Sequence, residues 1–194
     1  MTTRSQSSTA DSQDDADVPM GRTEVVAAVL THAADLFAER GPAATSIRDI
    51  ATRSGVNHGL IFRHFGAKDQ LVAAVLDYLG AHSAELIETK ADREVLEAQV
   101  ERQWKVLARA ILDGYEVGKL QQRFPTMSSL VDQVKERHDN DRAARLAVAN
   151  TVALEMGWRL FEPFLRSATG LQELSESELR EAINAETKRI IEPH

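Results

Sequence analysis

Residues 45–65 read TSIRDIATRSGVNHGLIFRHF, and the pair Ser54-Gly55 in the middle of that run limits the fold more than any other feature of the chain. Thr45 or Ser46 can cap a short helix with Ile47, Ile50 and Ala51 on one face, and Ser54-Gly55 ends it. Asn57 can cap a second short helix running through Phe65. Helices this short do not stand alone in water, because nucleation outweighs the few hydrogen bonds gained. They need a longer neighbour. Val26, Val29, Leu30, Ala33, Leu36 and Phe37 supply it at helical spacing, after a cap expected at Thr23 and before a stop at Gly41-Pro42. Two short helices joined by a glycine turn and packed on a longer one form a helix-turn-helix.

The rest of the chain also reads as helix. Gly66-Ala67 precedes a segment from Lys68 to Glu88 with Leu71, Val75, Leu79 and His82 on one stripe, long enough to link two domains. From Asp92 to Leu112, Leu96, Val100, Trp104, Leu107 and Ile111 form another stripe; Asp113-Gly114, Gly118 and Pro125 then break the chain into short pieces. Residues 141–166 are apolar around most of the helix, with Thr151, Glu155, Arg159 and Glu162 as one narrow polar stripe. Such a helix must be covered on more than one side, and Pro163 should kink or end it. Ser175 and Glu178 form a capping box that opens a last helix carrying Leu179, Ala182, Ile183 and Ile190. No segment alternates like a strand. The expectation is an all-α protein with a disordered acidic and polar tail over 1–20, a three-helix domain over 21–68, and a helical bundle over 69–194.

Composition removes several classes of function. A chain of 194 residues that is 43% hydrophobic can bury a real core. With no cysteine it has neither disulfides nor thiolate chemistry. No apolar run approaches the roughly 20 residues of a membrane span, and the N-terminus has no apolar export region, so a soluble, cytoplasmic protein is expected. The 30 carboxylates and 6 histidines fall mainly on polar helix faces. There is no HExxH, no glycine-rich phosphate loop and no G-x-S-x-G, so an enzyme, a cofactor and a metal site are not expected.

The net charge of −7 argues at first against nucleic acid, whose affinity rests largely on phosphate neutralisation by Lys and Arg. Its distribution reverses the inference. Residues 1–20 hold one Arg against four Asp, whereas residues 45–68 hold four basic residues against one Asp, with His58 and His64 beside them. Once Ile47, Ile50, Ala51, Val56, Ile61 and Phe65 are assigned to the core, Asn57, His58, Gly59, Leu60 and Arg63 remain on the outer face of the second short helix.

The stretch VVAAVLTHAADLFAERGPAATSIRDIATRSGVNHGLIFRHFGAKDQLVAAVL resembles the signature of the TetR family of transcriptional regulators, over about Thr23 to Leu76. The turn glycine, the aromatic-x-His-Phe run and the following Lys fall in register. The resemblance implies DNA contacts from Thr45 and Ser46 at the start of one short helix and from Asn57, His58, Gly59, Leu60, Arg63 and His64 on the other, with Lys68 opening the next. Hydroxyls and N–H groups at helix N-termini suit phosphate, and Arg63 or Asn57 can pair with a guanine or adenine edge. Gly59 reads either as room for close approach to DNA or as a loosely selected glycine. Phe62 stands where the family usually has a phosphate-binding Tyr, and loses that hydroxyl. Leu60 reads as a thymine-methyl contact or as an ordinary surface leucine, and Arg48 as a phosphate contact or a solvated side chain.

The resemblance further implies a homodimer through the C-terminal helices that binds a palindromic double-stranded operator, acts as a repressor, and is released by a small apolar or amphipathic ligand. Trp104, Tyr115, Phe124, Met127, Met156 and Phe161 are candidates for the pocket, each with ordinary core packing as its alternative. Trp158, Arg159 and Glu162 belong either to the dimer seam or to a second face of the bundle. A regulator controlled by a protein partner, with no small-molecule ligand and a bundle core lacking a cavity, is the competing reading.

Overall fold

The computed structural model describes residues 21–121 and 124–192; the expectation of a disordered tail over 1–20 lies outside them. The described residues contain helices and no strand: α1 (Arg22–Arg40), α2 (Ile47–Ser54), α3 (His58–Phe65), α4 (Lys68–Glu88), α5 (Arg93–Leu112), α6 (Val117–Leu120), α7 (Pro125–Lys135), α8 (Asp141–Thr169) and α9 (Glu176–Ile191). The fold is all-α, as the periodicity required.

Two boundaries differ from expectation. Helix α1 is capped at Gly21 and not at Thr23, because the Glu24 carboxylate accepts from the Gly21 N–H at 2.9 Å and closes the first turn one step earlier. Pro163 does not end α8, which runs on to a left-handed cap at Gly170. A proline inside a helix removes one donor and frees a carbonyl, and here both residues concerned, Pro163 and Arg159, lie on the exposed side of the helix.

A single core joins the first half of the chain. Val29, Ala33 and Phe37 of α1 meet Ile50 of α2, Ile61 of α3, Leu71, Val75 and Leu79 of α4, Val106 and Ala110 of α5 and Val117 of α6. Packing is therefore continuous across residue 68, and the turn-linked helices are held by the same interior that begins the bundle. Arg102 of α5 reinforces this: its guanidinium donates to the Thr31 carbonyl at 2.7 Å and pairs with Asp35 at 2.8 Å, both on α1. A smaller core of Val134, Ala144 and Val148 lies between α7 and α8.

Helix α8 is fully buried only at Ala144, Ala147, Val148 and Thr151, all in its first half. Beyond it Met156, Trp158, Leu160 and Leu165 are half-buried, whereas Phe161 is 55% exposed and Phe164 68%. Helices α5, α7 and α9 pack against α8, the cover on more than one side that was expected, and leave one apolar flank with Phe161 and Phe164 bare.

Candidate nucleic-acid interface and bundle cavity

The turn between α2 and α3 is built by three local devices. The Ser54 hydroxyl donates to the Ile50 carbonyl at 2.7 Å, which satisfies the end of α2 from inside. Gly55 then takes φ +68°, the left-handed cap that a side chain disfavours. Asn57 starts α3 by accepting from the Gly59 N–H at 2.8 Å. At the other end of α2, the Ser46 hydroxyl accepts from the Asp49 N–H at 3.1 Å while the Asp49 carboxylate accepts from the Ser46 N–H at 2.8 Å. That carboxylate also pairs with Arg40 at 3.1 Å. The two bonds with Ser46, backbone first, hold Asp49 below the usual carboxylate range, with Arg40 and Lys68 adding to the effect.

Ser46, Arg48, Asn57, His58, Gly59, Phe62 and Arg63 are exposed together on the face made by the start of α2 and the outer side of α3. Ser46, Ile47, Arg48, His58, Gly59 and Phe62 line a shallow apolar notch between the two helices. Arg48 and Arg63 make no ion pair among the described residues. Arg53, counted in the local positive charge, faces the other way and is tied to Glu39 of α1 at 2.8 Å. The cations left for an anion are thus Arg48, Arg63 and Lys68, with Lys68 Nζ also 3.4 Å from the Ala43 carbonyl.

Four expected contacts change character. Thr45 is 1% exposed and its hydroxyl donates to the Gly41 carbonyl at 2.8 Å, so it fastens the α1–α2 loop and presents nothing outward. Leu60 is partly buried against the core, so it is not the ordinary exposed leucine of one of its two readings. The Asn57 carbonyl oxygen is engaged as a cap, so only its amide NH2 is free for a partner. Gly59 has a reason internal to the helix, because a Cβ there would lie 3.2 Å from the Asn57 Oδ1. His64 is half-buried with its ring edge-on to Phe65, and Phe62 is 61% exposed.

The bundle residues divide. Trp104, Phe124, Met127 and Met156 line one cavity of about 220 Å³ between α4, α5, α7 and α8. Tyr115 is not among them; it lies at a cleft with Ala43, Asp69 and Asp113, where burial, then Asp69 and Asp113, push its phenol above the usual value. Phe161 is largely exposed instead, on the bare flank of α8. Trp158, Arg159 and Glu162 line a charged cleft with Arg93, Glu97 and Arg180, so in the single chain they form a second face of the bundle. Residue spacing did not reveal Gly80, Gln103, Gln121 and Thr126, which line the same cavity as Trp104. Nor did it reveal Asp113, read as a helix breaker, whose carboxylate accepts from the Ala43 N–H at 2.6 Å. That bond joins the end of α5 to the loop that leads into α2.

A glycine-turned pair of short helices with unpaired cations on its outer face, seated on a helical bundle, defines a helix-turn-helix DNA-binding regulator. Residues 29–75 match the model of the bacterial regulatory proteins, tetR family. The chain is 60% identical over 177 residues, 91% of its own length and 94% of the relative's, to the HTH-type transcriptional repressor Rv3405c of Mycobacterium tuberculosis. It is 31% identical over 152 residues, 76% of its length and 68% of the relative's, to the HTH-type transcriptional repressor KstR2 of Rhodococcus jostii. Among solved structures, a TetR-family protein from Vibrio parahaemolyticus superposes with a TM-score of 0.50 at 22% identity, covering 84% of this chain and 97% of that one, which bears on the fold alone. The chain belongs to the TetR family of bacterial transcriptional regulators. Its relatives are named as regulators and not as enzymes.

Proposed function

We propose that the chain is a dimeric repressor that binds a palindromic operator through residues 21–68 and is released by a small molecule held within residues 69–194. The carrying observation is the shared exposure of Ser46, Arg48, His58 and Arg63 with no ion pair to either arginine among the described residues, on a protein whose net charge is −7. An acidic protein that leaves two guanidiniums free on one small face has that face ready for phosphate and base edges. The first turns of α2 and α3 meet at the same notch, lined by Ser46, Arg48, His58 and Gly59, and add positive dipole ends there.

Dimer formation is supported by Leu146, Phe161 and Phe164, which leave an apolar flank on α8. A second copy of the chain covers that flank, and a two-fold dimer carries the α3 helices to successive major grooves about 34 Å apart. The cavity beside Trp104 favours control by a small molecule over control by a protein partner, since the partner reading expected a filled core. Selection from random double-stranded DNA at low salt is the test: enrichment of one palindrome supports the reading, and no enriched palindrome overturns it.

A further inference from the structure

We infer that the effector is an uncharged molecule of about one ring that presents a hydrogen-bond acceptor to the amides of Gln103 and Gln121. This rests on the effector-released regulator proposed above and names the chemistry of its ligand.

The size follows from the cavity. Its volume is about 220 Å³, whereas an engineered apolar cavity of about 150 Å³ holds one benzene and drug-sized molecules occupy clefts of roughly 300–1,000 Å³. One ring with a short substituent fits this space. The charge follows from the walls. Trp104, Leu107, Phe124, Met127 and Met156 are apolar or aromatic, and none of the described lining residues is ionisable. A carboxylate or ammonium entering such a site would lose its hydration with no counter-charge from the described lining residues.

The acceptor follows from where the polar atoms point. A Cβ placed on Gly80 would lie 3.6 Å from the Gln121 Nε2 and 3.8 Å from the Gln103 Nε2, so two amide NH2 groups converge over this one bare position of α4. Gln103 is oriented from behind, since the Ser83 hydroxyl donates to its Oε1 at 2.6 Å. Gln121 is only 6% exposed and uses one N–H in a long bond of 3.4 Å to the Leu76 carbonyl. Each amide retains a donor. The Thr126 hydroxyl, also in the lining, is buried with no partner among the described residues and supplies a third. Three donors thus serve this end of the cavity, and a neutral carbonyl, ester or ether oxygen matches them.

The test uses the full chain and three probes of one shape by calorimetry: acetophenone, neutral with an acceptor; ethylbenzene, neutral without one; and benzoate, charged. Acetophenone should bind at least tenfold more tightly than benzoate and at least threefold more tightly than ethylbenzene. Gly80→Ala places a methyl beneath both amides while favouring the helix; it should fold, bind DNA as the parent does, and weaken acetophenone at least fivefold. Gln103→Leu should remove the advantage of acetophenone over ethylbenzene. Benzoate binding as tightly as acetophenone, ethylbenzene matching it, or no binding of any probe to the parent each overturns the inference. DNA binding of the same protein is measured separately without probe, so a chain that takes acetophenone but fails to bind or release an operator refutes the regulatory reading and leaves the ligand chemistry standing.

Discussion

At the scale of single residues, the outer face of α3 holds groups with unequal duties. Arg63 is exposed and unpaired among the described residues, so Arg63→Ala should weaken operator binding by about 1–3 kcal/mol if it reads a base, and mainly flatten the salt dependence if it meets only phosphate. Affinities measured at several salt concentrations on the palindrome and on a mutated half-site separate the two; no change in either would take Arg63 out of the interface. Asn57 and Gly59 act as a pair, because the glycine leaves room for the oxygen that caps the helix. That partnership was invisible in the sequence, where the glycine read as room for close approach to DNA or as a loosely selected residue. The same limit explains Thr45: a hydroxyl before a helix looks the same whether it caps, points out or turns back to a carbonyl, and only the folded loop shows the bond to Gly41.

At the scale of elements, hydrophobic spacing and cap chemistry were nearly sufficient. The bounds of α2 and α3 could be read from Ser46, Gly55 and Asn57, because each cap needs a particular residue at a particular place, while the start of α4 follows from the break at Gly66-Ala67 and not from a side-chain cap. The end of α8 could not, since the effect of Pro163 depends on whether water reaches the freed carbonyl, which is a matter of tertiary exposure. The cavity was half legible: aromatic and Met residues marked Trp104, Phe124, Met127 and Met156, but which of several apolar stripes face one another is set by helix packing. Ser46→Ala should lower stability by about 1 kcal/mol through loss of the α2 cap, read as a shift in the denaturation midpoint. The capping carboxylates also set an acid limit. Asp49 is held low by Ser46, as is Glu178 by Ser175 at the start of α9. Groups lowered in the folded state stabilise it above their ordinary value, near 4, and lose that contribution as pH falls through the lower one. Stability should therefore not change through these two groups between pH 5 and 8 and should fall below about pH 4; an Asp49 carboxyl titrating at or above its ordinary value by NMR would contradict this.

At the scale of the whole molecule, the regulator must join three surfaces: the face of α2 and α3, the cavity, and the bare flank of α8. Phe164→Glu should convert the proposed dimer to monomer in sedimentation and weaken operator binding with it, while a variant that stays dimeric would place the seam elsewhere. The common core from α1 to α6 leaves no free hinge between DNA face and bundle, so a change in the bundle has solid connections to move through. Asp113 is one of them. Asp113→Ala removes the acceptor for Ala43 at an exposed site, where water can replace it, so folding should change little while ligand-driven operator release is reduced. Acetophenone binding that stays at the parent value alongside a lower yield of released DNA is the expected signature; full release would assign the bond to loop stability alone. Gly41 stands opposite this bond with φ +84°, and a Cβ there would come within 2.7 Å of the Asp113 oxygen. Nearly any replacement of Gly41 must then disturb the loop and its anchor at once. In a genetic selection for regulators that no longer answer their signal, this position should recur, although it belongs to neither the operator-facing surface nor the ligand cavity, and a lineage could retune its response there while leaving both recognition surfaces untouched.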